Sequence, residues 1–215
     1  MAYVIRSGKY ESGTEEQQMA YRQLFGKDVQ YRFDLYFHWY NLIHELGHSF
    51  VSESGREIPD LPQEMFVNEF AVAYYRYAGE NDRLDELQSI LEEIINSIPA
   101  PMPEGEAFLD YYERIWNTEE LMQVMTYGYF QLNSVLEAMK KRKSFEETAG
   151  ELGFRLHPAD VKRADTEISS GNAEAVLNTA LENMRMCGMT VPKIRLELVD
   201  DPTIQCVRWE ESSAL

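Results

Sequence analysis

Apolar residues recur at helical spacing through most of the chain, and the period changes only near its end. Residues 33–51, FDLYFHWYNLIHELGHSFV, are apolar at Phe33, Phe37, Tyr40, Leu42, Ile43, Leu46 and Phe50. That covers most of a helix circumference and predicts a buried helix rather than a surface one. Before it, residues 14–25 predict a helix opened by a capping box, Thr14-Glu15-Glu16-Gln17, and stopped by Gly26. After it, the polar loop 52–63 with its two prolines leads into a second long helix, from about Leu61 to Ala78, with Pro62 in its first turn. Asn81 is placed to cap a helix reaching Ser97, and a proline-rich turn over 99–103 follows. Further helices are expected over 105–116, 118–141, from a capping box at Ser144-Phe145-Glu146-Glu147, and over 158–169 and 172–187. In residues 192–210, alternation at Ile194, Leu196 and Leu198, then Ile204, Cys206, Val207 and Trp209, is split by Asp200-Asp201-Pro202-Thr203 and predicts a β-hairpin. The expected fold class is therefore mainly α (α+β): one compact helical domain over 1–215, with a core at 33–78, a helical body at 81–187 and a small C-terminal β-hairpin at 192–210.

Composition changes this picture little. The chain has 215 residues, 44% of them hydrophobic, enough for a substantial core. No apolar run approaches the ~20 residues of a membrane span, and the N-terminal MAYVIRSGKYESG lacks a stretch of signal-peptide length. Cys187 and Cys206 share no metal-type spacing and read as two reduced thiols, so a cytoplasmic location is expected. A net charge of −17 repels nucleic acid and anionic membranes over the surface as a whole.

The chemistry is concentrated in His44-Glu45-Leu46-Gly47-His48. Histidines four apart on a helix lie about 40° apart around its axis, so both rings reach one metal ion. A glutamate beside the first of them can take a proton from an attacking water, which is the H-E-x-x-H arrangement of zinc hydrolases. Three polar side chains on a buried helix also need partners, and a metal supplies one. The expected cofactor is Zn2+, with His44 and His48 as metal ligands and Glu45 as the catalytic base. Two core histidines bonded to backbone carbonyls beside a chance glutamate is the bland alternative.

A hydrolytic zinc keeps three protein ligands, so a third must come from a neighbouring element. Glu64 and Glu69 in the following helix lie about 140° apart and cannot both face the metal. Facing geometry favours Glu64. Asn68 stands one turn further on the same face, placed to hydrogen-bond a ligating histidine, and Val67 and Ala71 allow close approach of the helices. Glu69 stays open, because Asn68-Glu69 resembles the Asn-Glu pair of thermolysin-like zinc enzymes.

With HELGH followed by Glu64, Val67, Asn68, Phe70 and Ala71, residues 38–75 resemble the ImmA/IrrE family of zinc metallopeptidases, whose pattern is HELGH and then E-x-x-A-N-x-F-A. Val67 stands in place of the family's alanine. The resemblance implies a gluzincin-like, zincin-like helical domain with a small sheet, His44, His48 and Glu64 as zinc ligands, and Glu45 as base. It also implies a peptide or protein substrate, since family members cleave regulatory proteins, often repressors.

Other signals are weaker. His38 lies about two turns before Glu45 and could orient it. Tyr74, Tyr75, Tyr77, Tyr127, Tyr129 and His157 are candidate donors to the oxyanion of a peptidase, though helical tyrosines are more often packing residues. Lys140–Lys143, Arg155, Lys162 and Arg163 form the only basic stretch, and Phe145, Ala149, Gly153 and Val161 faintly suggest a helix-turn-helix. Two alternatives to a peptidase follow: a metal-stabilised interaction module with little turnover, and a DNA-associated regulator acting through 144–164. The acidic background argues against nucleic acid as a partner.

Overall fold

The computed structural model describes residues 2–210. Its elements are β1 (Ala2–Gly8), α1 (Glu15–Phe25), α2 (Val29–Phe33), a π-helical stretch (Asp34–Tyr40), α3 (Asn41–Ser54), α4 (Asp60–Tyr77), α5 (Asn81–Ser97), α6 (Phe108–Ile115), α7 (Val124–Lys141), α8 (Phe145–Glu151), α9 (Ala173–Met186), β2 (Lys193–Val199) and β3 (Gln205–Glu210). The fold is mainly α with a small sheet, as the apolar periodicity indicates. Both capping boxes form: Thr14 and Gln17 exchange hydrogen bonds at the start of α1, and Ser144 and Glu147 at the start of α8. No helix among the described residues is long and apolar enough to cross a membrane.

The sheet corrects the expected hairpin. Both C-terminal strands form, but they do not pair with each other. The strand order is β2-β1-β3, with β1 parallel to β2 and antiparallel to β3, so that Ile5 stands opposite Leu196 on one side and Val207 on the other. The apolar run Tyr3-Val4-Ile5 is buried on both faces and takes the central place. The β2–β3 connection crosses the end of β1 at Gly8, where a Cβ would stand 1.8 Å from the carbonyl oxygen of Asp201. Only glycine lets the connection pass there.

Three helical expectations are also corrected. The helix over 33–51 is not uniform, because Asp34–Tyr40 is π-helical and regular α geometry begins at Asn41. The helix expected over 118–141 begins at Val124. Residues 158–169 form no helix. Their backbone groups are satisfied by side chains instead: Asn183 bonds both N–H and C=O of Lys162, Glu80 accepts from the N–H of Ala164, and Arg83 donates to the carbonyls of Ala164 and Thr166. With only α8 in residues 144–164, the two helices of a helix-turn-helix are not present.

The core that positions the site is built on α3 and α4. Phe33, Leu35, Trp39, Leu42, Ile43, Leu46 and Phe50 are all essentially buried, as are Val67, Phe70 and Ala71 opposite them. The two helices approach closely at Gly47. A Cβ there would lie 3.1 Å from Val67 Cβ and 3.4 Å from Phe70, so the glycine of HELGH sets the spacing between the helices.

Candidate metal centre

Helix α3 presents His44 and His48 one turn apart on one face. Their Nε2 atoms converge to 3.3 Å. Helix α4 brings the Glu64 carboxylate against both: Oε2 is 3.4 Å from Nε2 of His44, and Oε1 is 3.3 Å from Nε2 of His48. One ligand atom from each of the three residues lies within 4.8 Å of the others. Two imidazole nitrogens and one carboxylate oxygen, aimed at a common point and partly open to solvent, are a donor set that fits a zinc ion with a free position.

The electrostatics are those of a compact charge cluster. Burial pushes Glu64 up, but hydrogen bonds and charge from His44 and His48 overcome it and hold the carboxyl far below the usual range. Burial pushes His44 down, while the Glu64 hydrogen bond and the charges of Glu64 and Glu45 more than offset this, so His44 lies above the ordinary histidine value.

Around these three residues the orientation is fixed by neighbours. Asn68, one turn after Glu64 and 2% exposed, presents Oδ1 at 3.0 Å from His44 Nδ1. Its Oδ1 also accepts from the Tyr40 hydroxyl, and its Nδ2 donates to Ser134 Oγ and to the Glu64 carbonyl. Gln63 Nε2 lies 2.9 Å from His48 Nδ1. Glu45 is 7% exposed and accepts a 3.2 Å hydrogen bond from Asn41 Nδ2.

Glu69 lies elsewhere. Its carboxylate is buried against Lys141 Nζ at 2.5 Å and Lys143 Nζ at 3.0 Å, where the α7–α8 connection covers α4. His38 does not orient Glu45 either. Its Nδ1 bonds Asp34 Oδ1 at 2.5 Å and its Nε2 bonds the carbonyl of Gly8, tying the π-helical stretch to the end of β1.

Of the oxyanion-donor candidates, most are engaged in packing. Tyr74 accepts from Asn183, Tyr75 donates to the Trp39 carbonyl, Tyr77 packs on Phe145, Tyr129 belongs to a second apolar cluster, and His157 is exposed. Tyr127 is exposed and packs beside Phe130, and desolvation, then the charges of Glu64 and Glu45, push its hydroxyl up to about 12. Tyr36, buried one turn before Tyr40, is pushed up by burial and then by Tyr127, Glu64 and Glu45.

Asn41, four residues before Glu45, could have been found from helical spacing alone. Tyr40 is likewise one turn before His44. Gln63, Ser134 and Tyr36 carry no sequence pattern that points to the site. No family model, curated protein or solved structure matches this chain.

Proposed function

We propose that this protein is a zinc-dependent metallopeptidase of the ImmA/IrrE-like kind, hydrolysing a peptide bond in a peptide or protein substrate in the cytoplasm. The observation that carries the reading is the convergence of His44, His48 and Glu64 beside a buried Glu45. Two free cysteines suit the proposed compartment.

His44, His48 and Glu64 would hold the ion. Zinc bound there supplies Lewis acidity, polarising a scissile carbonyl and acidifying a water near neutral pH. Glu45, held by Asn41, takes the proton of the attacking water and delivers it to the leaving amine. Asn68 keeps His44 in the tautomer whose Nε2 is free to ligate.

The test is metal analysis of the purified protein followed by a peptide-library cleavage assay with and without chelator. One zinc per chain, absent from His44→Ala and His48→Ala, with chelator-sensitive cleavage, supports the reading. Zinc without cleavage would favour a metal-stabilised interaction module. Undiminished zinc binding by His48→Ala would overturn the site itself.

A further inference from the structure

The two histidines are held from behind by amides of unequal freedom. The Asn68 amide uses both ends: Nδ2 donates to two acceptors, and Oδ1 receives Tyr40 and His44. Turning it over would set Oδ1 against the Glu64 carbonyl and lose that bond, so the amide as placed favours His44 with its proton on Nδ1. The Gln63 side chain makes no hydrogen bond among the described residues besides that to His48, and it is only partly buried.

The Gln63 contact has the opposite sense. Nε2 of an amide only donates, so with the amide as placed Nδ1 of the neutral His48 ring is the acceptor and its proton is left to Nε2. That proton points at Glu64 Oε1, 3.3 Å away, and completes a chain from Gln63 through His48 to Glu64. The arrangement suits a metal-free cluster and does not suit a ligand. Nε2 of His48 is the atom that converges with His44 and Glu64, and a protonated ring nitrogen has no lone pair to give a metal. For Nε2 to ligate, the ring proton must move to Nδ1, where it needs an acceptor. A half-turn of the Gln63 amide about its terminal torsion exchanges Nε2 for Oε1 and supplies one, and with a single hydrogen bond at stake that turn is inexpensive.

We propose that Gln63 is a positioning residue for His48, donating from Nε2 to its Nδ1 in the metal-free protein and turning its amide over to accept Nδ1–H when zinc is bound. The proposal rests on the zinc-site reading given above.

The experiment uses the full chain and zinc alone. Ring-nitrogen NMR shifts of the unmutated protein should place the His48 proton on Nε2 without metal and on Nδ1 after one equivalent of zinc. Zinc titrations of Gln63→Leu should show affinity reduced about 10–100-fold. Gln63→Glu, whose carboxylate only accepts, should keep or raise it. Thermal melts of the metal-free variants check that each folds. Undiminished zinc affinity in Gln63→Leu overturns the proposal, as does an equal loss in Gln63→Leu and Gln63→Glu, which would indicate packing alone. A His48 proton that stays on one nitrogen throughout overturns the amide turn. If the unmutated protein binds no zinc, the metal-site reading fails and this proposal with it. That result is distinguishable from normal binding by the wild type with no effect of Gln63.

Discussion

Oδ1 of Asn68 and Nδ1 of His44 lie 3.0 Å apart, joining α4 to α3 behind the point where His44, His48 and Glu64 converge. The contact is buried, and Tyr40 and Ser134 hold the same amide in place. Asn68→Ala should therefore lower zinc affinity about 10–100-fold with the three ligands unchanged. Competition titration against a chelator of known affinity measures this. Equal affinities would mean that His44 keeps its tautomer without help.

Glu64 and Glu69 should separate cleanly. Glu64→Ala removes a carboxylate lying against both histidines and should abolish tight zinc binding. Glu69→Ala removes the buried partner of Lys141 and Lys143 and should lower the melting temperature while leaving zinc binding nearly unchanged. Paired metal titrations and melts decide it. Metal loss confined to Glu69→Ala would refute the assignment of Glu64.

Glu45→Gln should keep its zinc and lose hydrolysis. The amide preserves shape and can still meet Asn41, but it cannot accept the proton of the attacking water. Loss of kcat by a factor of at least about 100, with unchanged metal content, is the expected result. A zinc-loaded Glu45→Gln protein with full activity would remove Glu45 from the mechanism.

Gly47→Ala tests the close approach of the two helices. Alanine favours the helix by up to about 1 kcal/mol, but its Cβ would meet Val67 Cβ at 3.1 Å. That atom is fixed to the α4 backbone and moves only if the helix moves. Overpacking of this kind costs about 1–3 kcal/mol, so the expected result is a lower melting temperature with weaker zinc binding. Val67→Ala in the same chain should restore both. A Gly47→Ala protein as stable as the wild type, with normal zinc affinity, would show that the spacing is not critical.

Protons and zinc should compete at the cluster. Glu64 keeps His44 protonated above its ordinary value of 6.5, so apparent zinc affinity should fall as pH is lowered through that region. In the metal-free protein the signs differ between the partners. The depressed Glu64 contributes stability above its unfolded value of 4.5 and loses it as pH falls toward its folded value. The raised His44 contributes fully below 6.5 and loses it as pH rises through its folded value. The pair therefore stabilises the metal-free chain most between 4.5 and 6.5. Melting temperatures across pH for wild type and Glu64→Gln should diverge most in that window. Parallel curves would show that the pair adds no net stability.

What the sequence determined about this protein is local. The facing of His44 and His48, the separation of Glu64 from Glu69, and both capping boxes follow from hydrogen bonds between residues three or four apart, which set the same angles in any α-helix. Tertiary structure decided what depends on residues distant in the chain. The Tyr3-Val4-Ile5 strand lies between β2 and β3, almost the whole chain away from its partners, because a sheet chooses neighbours by burial and edge pairing rather than by adjacency. Residues 158–169 lost their helix to the side chains of Asn183, Glu80 and Arg83, and the capture of Glu69 by Lys141 and Lys143 came from how α7 and α8 close over α4. Gln63 meets His48 and Ser134 meets Asn68 for the same reason: helical period gives the face a residue occupies, while only packing gives what that face meets.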